Sequence, residues 1–225
     1  MKLNKPDVFN YDLFKNLEIT GPYHSPIVRP IDITPTKVIS FNYALTCRHP
    51  EQYFVHFYID DYQFERVWNT PTKYIELLKN FAGVIGPDFS AYTDLSMSQR
   101  IYNIYRNKAL TAYWQKHGIK VIPNARWVDN CGLDFNNGFD GLPTHSTIAI
   151  TTHSCFGETN YKIFQQEFLD IVNKLQPTQI VCIGKLPKEQ QAICKQKNIK
   201  LQIFNSHIEQ LEERRKQNGK SKKHK

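Results

Sequence analysis

The residues best suited to chemistry lie between Gly83 and Asp129, in GVIGPDFSAYTD and again in VIPNARWVD. Asp88, Asp94 and Asp129 are carboxylates that can serve as general acid or base, or ligate a divalent metal. His153, further along in TTHSC, can join them. These four form the candidate catalytic set, and Asp88, Asp94 and His153 are the candidate ligands if a divalent metal is the cofactor. Arg106 and Arg126 carry the planar donor fork that grips phosphate by two points at once. Asn124 adds neutral hydrogen bonds, and Tyr92 and Trp127 offer ring faces on which a base or sugar stacks. Tyr92, Arg106, Asn124, Arg126 and Trp127 are therefore the candidate substrate-binding residues. Their types fit a phosphate-containing substrate, either a nucleotide or a nucleic-acid end. Two carboxylates also suit glycoside cleavage, but the arginines argue against it.

Each of these residues also has a plain structural reading. Asp94 precedes a long helix and can cap it, although Ser96 can take that place and release it. Asp88 beside Arg126 can be a structural ion pair at the end of a strand. Asp60 and Asp61 end another strand, where paired acids bind a metal or set a turn. His56, in the middle of YFVHFYI, reads as a core or edge histidine. Cys155 is close enough to His153 for a thiol nucleophile, but no acid is placed to orient the histidine, and a buried cysteine is inert.

The elements that must hold these residues follow from the apolar pattern. Strand-like runs occupy 37–46, 53–59, 84–85, 119–122, 147–152, 179–183 and 199–204. Between them, Thr70-Pro71 opens a helix with Tyr74, Leu77, Leu78 and Phe81 as its buried stripe. Residues 96–116 form a long helix with Ile101, Ile104, Tyr105, Ala109, Ala112 and Tyr113 on one face, closed by Gly118. Residues 160–175 form an amphipathic helix, and Pro187 opens another that runs to Lys197. The alternation of strand and helix implies an α/β fold with a mainly parallel sheet covered by helices. Seven strands approach the eight of a β/α barrel, so a small, irregular TIM-barrel-like fold is expected, with an open doubly wound sheet as the alternative. In either form ligands bind beyond the carboxyl ends of the strands. No glycine-rich phosphate loop follows any strand.

Pro22, Pro26, Pro30 and Pro35 make residues 1–35 an extended N-terminal arm. Residues 36–213 read as a single α/β domain, and 214–225 as a basic, disordered tail. The net charge is +8, and the tail holds seven lysines and arginines, which leaves the rest near +1. A tail of this kind lends salt-sensitive attraction to nucleic acid, whereas the body carries no evident basic groove. No apolar run reaches membrane-spanning length, and the amino terminus lacks a signal-peptide core. A cytoplasmic protein with no membrane partner is expected. The five cysteines are unpaired in spacing and read as free thiols.

The same stretch resembles a bacterial and phage protein family of unknown function that is found in phages and other mobile elements. The resemblance rests on PDFS-x-Y-x-D at Pro87 to Asp94, Tyr105-Arg106, GI-x-VIPN-x-RW at Gly118 to Trp127, and F-x-G-x-P at Phe139 to Pro143. It runs from about Asp60 to Gly157, and Ser154 departs from the glycine that members often carry there. It implies a residue set and a mobile-element context, and it does not imply a reaction. The expected function is an enzyme of hydrolytic, phosphodiester or nucleotide chemistry acting at the strand ends. The alternative is a non-catalytic protein that binds nucleic acid or a host protein. Neither reading sets the oligomeric state.

Overall fold

The computed structural model describes residues 7–92, 94–126, 138–153, 157–206 and 209. Seven of its strands build the body: β3 (Val38–Ser40), β4 (Phe54–His56), β5 (Gly83–Ile85), β6 (Val121–Ile122), β7 (Thr147–Thr151), β8 (Gln179–Ile183) and β9 (Lys200–Phe204). All neighbouring pairs are parallel and follow chain order, β3 to β6 in one ladder and β7 to β9 in another. A parallel bridge between Asn124 and Ala149 joins the two ladders, with Ala125 N–H donating to Ala149 O at 2.9 Å and Ala149 N–H to Pro123 O at 2.8 Å. The strand order never reverses, as it must at the switch point of a doubly wound sheet. Among the described residues no ladder pairs β9 with β3.

The inner face of this curved sheet gathers one apolar cluster from first strand to last. It contains Val38, Phe54, Tyr58, Ile85, Ile122, Ala149, Val181 and Ile183, with Phe204 packed against it. The alternation of strand side chains sends their neighbours the other way. Val55, Phe57, Val84 and Val121 face one helical layer, and Ile148, Ile150, Ile180 and Cys182 face another. The outer layer is rich in aromatic rings: Phe57 stacks between Phe41 (4.9 Å) and Trp114 (5.4 Å). Much of the aromatic content therefore serves the core and is not displayed for binding.

The helices are α2 (Asp61–Phe64), α3 (Arg66–Asn69), α4 (Ile75–Lys79), α5 (Met97–Lys116), α6 (Glu158–Leu175) and α7 (Lys188–Gln196), preceded by a single turn, α1 (Tyr11–Phe14). Two expectations need correction. The run 37–46 is a strand only as far as Ser40, and Phe41–Thr46 is a 3-10 helix. That helix buries Phe41 and Ala44, three apart, on one side, which an extended strand cannot do. The helix α5 is not one-sided either: Arg100, Arg106, Asn107 and Lys108 are buried together with its apolar residues. The arm covers Lys108 through Ser25, while Glu65 and the segment after β5 cover Arg106 and Asn107.

The arm forms a small antiparallel pair, β1 (Ile19–Thr20) with β2 (Ser25–Pro26), and then runs under the sheet. Ile31 and Ser146 exchange hydrogen bonds, Thr147 N–H donates to Ile31 O at 2.8 Å, and the Thr34 hydroxyl donates to Gln179 Oε1 at 2.8 Å. These contacts close the amino ends of β7 and β8. Ile31 and Ile33 pack on the inner cluster from below.

Lys108 ties three pieces together. Its Nζ donates to Ser25 Oγ at 3.0 Å and to the Asp140 carbonyl at 2.6 Å, while Val28 N–H donates to Gly141 O at 2.7 Å. The motif around Phe139–Pro143 thus docks on the arm. Burial depresses the Lys108 ammonium from 10.5 to about 7, although Asp140 opposes the change. The unfolded chain keeps that proton up to about pH 10.5, so unfolding takes up a proton between these values, and stability must rise with pH across this window. Chemical denaturation between pH 7 and 9 should show wild type gaining about 1 kcal/mol per pH unit relative to Lys108→Met. Parallel curves for the two proteins would show that Lys108 is charged in the fold.

Candidate active site

The segment after β5 carries the central carboxylate. Gly86 N–H extends the ladder to Ile122 O at 2.9 Å, and a Cβ on Gly86 would lie 2.6 Å from Thr111 Oγ1 of α5, so the strand passes the helix too closely for a side chain. Pro87 then ends the strand, since it has no N–H to offer. The next three residues point to three different places. Asp88 turns to Asn124 and Arg126 at the strand ends, Phe89 is fully buried against Phe64 at 4.7 Å, and Ser90 turns toward α2.

Four side chains on two helices hold this segment. Asn107 receives Phe89 N–H at 2.8 Å and donates to Phe89 O at 3.3 Å. Asn103 donates to Ser90 O at 2.6 Å. Asp61 accepts from both Ser90 N–H (3.0 Å) and the Ser90 hydroxyl (2.9 Å). Arg106 lies over the Phe89 ring at 3.5 Å while its Nη1 pairs with Glu65. Arg106 was expected to clamp an anion. The structure commits it to Glu65 and to the Phe89 ring, with Trp68 and Tyr102 flanking it, so its role is to position the loop.

Asp88 is 9% exposed. Its Oδ1 accepts from Asn124 Nδ2 at 2.9 Å and faces Arg126 Nε at 3.7 Å. Asn124 also donates to Pro87 O at 3.0 Å, and its Oδ1 accepts from the Tyr58 hydroxyl at 3.0 Å. That last bond sets the amide orientation, because the phenol is a donor: burial, with the Asp88 charge second, raises the Tyr58 pKa well above 10. Tyr58, Asn124 and Asp88 therefore form a one-way relay of hydrogen bonds that ends on a carboxylate. Among the described residues nothing donates to Asp88 Oδ2. Burial also pushes the Asp61 carboxyl up, against its bonds from Ser90, and the Asp88 charge adds to the rise.

The other expected residues lie elsewhere. Asp94 is exposed in the turn before α5, where Ser96 is the cap in a reciprocal box with Gln99. Tyr92 is half-exposed, and His153 is exposed just past β7. Trp127, Asp129, Cys155 and the basic tail lie outside the described residues. Among those described, no three His, Cys, Asp or Glu side chains come together as a metal group, so Asp88, Asp94 and His153 are not assembled as ligands. A magnesium-type ion that arrives with a phosphate needs only one or two protein carboxylates, which Asp88 can supply. Tyr58 and Asp61 were not in the expected site. Their signal was their place at the end of YFVHFYIDD, the same strand-end rule that picked out Asp88.

The profile of the family described as Domain of unknown function (DUF4417) matches residues 17–202. The chain belongs to this family. The match extends the resemblance in both directions and takes in the Asp88 relay and the strands as far as the first residues of β9. The "Gene 1 protein" of Mycobacterium phage L5 is 31% identical over 188 residues, 81% of this chain and 79% of its own length. The "Gene 1 protein" of Mycobacterium phage D29 is 31% identical over 181 residues, 76% of this chain and 65% of its own. No solved structure matches the chain. In this DUF4417 member no helix of the described residues is long and apolar enough to cross a membrane. Among the described residues Cys47, Cys182 and Cys194 form no disulfide.

Proposed function

We propose that this DUF4417 member is an enzyme acting on a phosphate-containing substrate, a nucleotide or nucleic-acid end, at the carboxyl ends of its strands. One observation carries this reading. Asp88 is buried and fixed through Oδ1 by Asn124 and Arg126, while Oδ2 is engaged by no described residue. A carboxylate held through one oxygen at the strand ends is suited to take a proton from water or a hydroxyl through the other, or to meet a cation on the substrate. Arg126 adds a permanent positive charge beside it, which favours an anionic group.

The test is a panel of nucleotides and short oligonucleotides, with Mg²⁺ or Mn²⁺, analysed for products with wild type and Asp88→Asn. Turnover by wild type that the variant lacks supports the proposal, and equal turnover by both removes Asp88 from the chemistry. A second reading, non-catalytic binding of nucleic acid, draws on Tyr62 and Tyr92, which are 80% and 50% exposed on either side of the Asp61–Ser90 link. In that case Asp88→Asn leaves oligonucleotide binding intact, and the Tyr62→Ala, Tyr92→Ala pair loses it.

A further inference from the structure

A hollow of about 410 Å³ lies at the carboxyl ends of β7 and β8, between the amino ends of α6 and α7. A hollow of this size takes a small organic ligand. Tyr161 and Phe164 of α6 and Pro187 at the start of α7 give it flat, apolar walls, and Thr152 and Lys185 add a hydroxyl and a cation. The walls are braced. The Tyr161 hydroxyl and Gln165 Nε2 both donate to Glu189 Oε2, at 3.4 and 2.7 Å, tying α6 to α7. The turn after β8 is shaped for close approach: Gly184 has φ +106°, and a Cβ there would strike Thr152 Oγ1. Lys185 is 84% exposed, and its Nζ lies 3.6 Å from Glu209, an exposed contact that costs little to exchange for a ligand. Two acids stand close by: Glu158 at the rim, its carboxylate bonded to Lys162 at 2.9 Å, and Glu167, which lines the crevice of Asn124 and Arg126. Phe164 is a shared wall, since it also lines the narrow crevice of Asn124 and Arg126. The hollow and the crevice of Arg126 therefore meet at Phe164.

We infer that this hollow is the base-binding subsite of a nucleotide, with the ring against Tyr161 and Phe164, Lys185 at the rim, and the phosphate directed across Phe164 to Arg126. Flat apolar walls select a planar heteroaromatic group, and cations on two sides select one that carries an anion. The assignment rests on the phosphate-substrate reading above and names its substrate class.

The test is calorimetric titration of the full chain with the four common ribonucleoside 5′-monophosphates, and with ribose 5-phosphate and inorganic phosphate as controls. At least one monophosphate should bind at least ten-fold more tightly than either control. Tyr161→Ala should weaken it about ten-fold or more, as loss of a stacking ring does. Tyr161→Phe, which keeps the ring, should stay near wild type, and the exposed Lys185→Ala should weaken binding several-fold. Asp88→Asn should leave affinity within a few-fold. Failure of every monophosphate to bind, equal binding of ribose 5-phosphate, or indifference to Tyr161→Ala overturns the assignment. The two proposals fail separately. Loss of turnover in Asp88→Asn with no effect of Tyr161→Ala on affinity removes this subsite alone. Binding that depends on Tyr161, with turnover unchanged in Asp88→Asn, removes the catalytic role alone.

Discussion

Under the proposed function, Asp88→Asn is expected to lower kcat by about 100-fold or more, the range for loss of a positioned general base or its charge. Folding is expected to survive. The new amide has the same shape, can still accept from Asn124 Nδ2 through its oxygen, and gives up only a 3.7 Å pair with a partly exposed Arg126. The expected stability change is about 1–2 kcal/mol, a few degrees in melting temperature for a chain of this size. A purely structural Asp88 gives the opposite pattern, with a clear loss of melting temperature and turnover that follows only the folded fraction. Measuring kcat and melting temperature on one preparation separates the two.

Asn107→Leu is expected to cost about 3–5 kcal/mol, because it leaves the buried Phe89 N–H and C=O without the partner that satisfies both. Leucine fills nearly the same volume, so no large cavity contributes to the loss. The effect should also reach the site. Asn107 fixes the residue next to Asp88, and an error of about 1 Å in a reacting group costs on the order of 100-fold in rate. Urea denaturation and kcat together give the result, and a variant as stable as wild type would show that Phe89 finds other partners.

Both predictions concern contacts between distant stretches of chain, and that is where the sequence was least readable. The strands announced themselves through apolar runs closed by Pro87, Pro123 and Gly184, and their parallel pairing followed from the alternation with helices, whereas their order did not, because a doubly wound sheet alternates in the same way. Asp88, Asn124 and Arg126 could be singled out because each stands just past such a run. Tyr58 could not be linked to them in advance: 66 positions separate it from Asn124, and only the fold brings the phenol to the amide. Arg106 was misread for a related reason. Periodicity marks apolar faces, and a buried arginine on α5 looks solvent-facing until Glu65 and the Phe89 ring are seen to enclose it. Lys108 escaped notice because the arm that covers it lacks any period of its own.

The measurement that bears most directly on the strand-end site is a thermal-shift comparison of wild type, Arg126→Ala and a remote control, Lys79→Ala, across nucleotides and short oligonucleotides with Mg²⁺ or Mn²⁺. A ligand at 100 times its dissociation constant should stabilise the fold by roughly 2.7 kcal/mol, a rise of several degrees. The proposed site requires that rise in wild type and in Lys79→Ala, and its loss in Arg126→Ala. An equal rise in all three proteins would place the ligand elsewhere, and no rise with any of these compounds would contradict a phosphate-containing substrate.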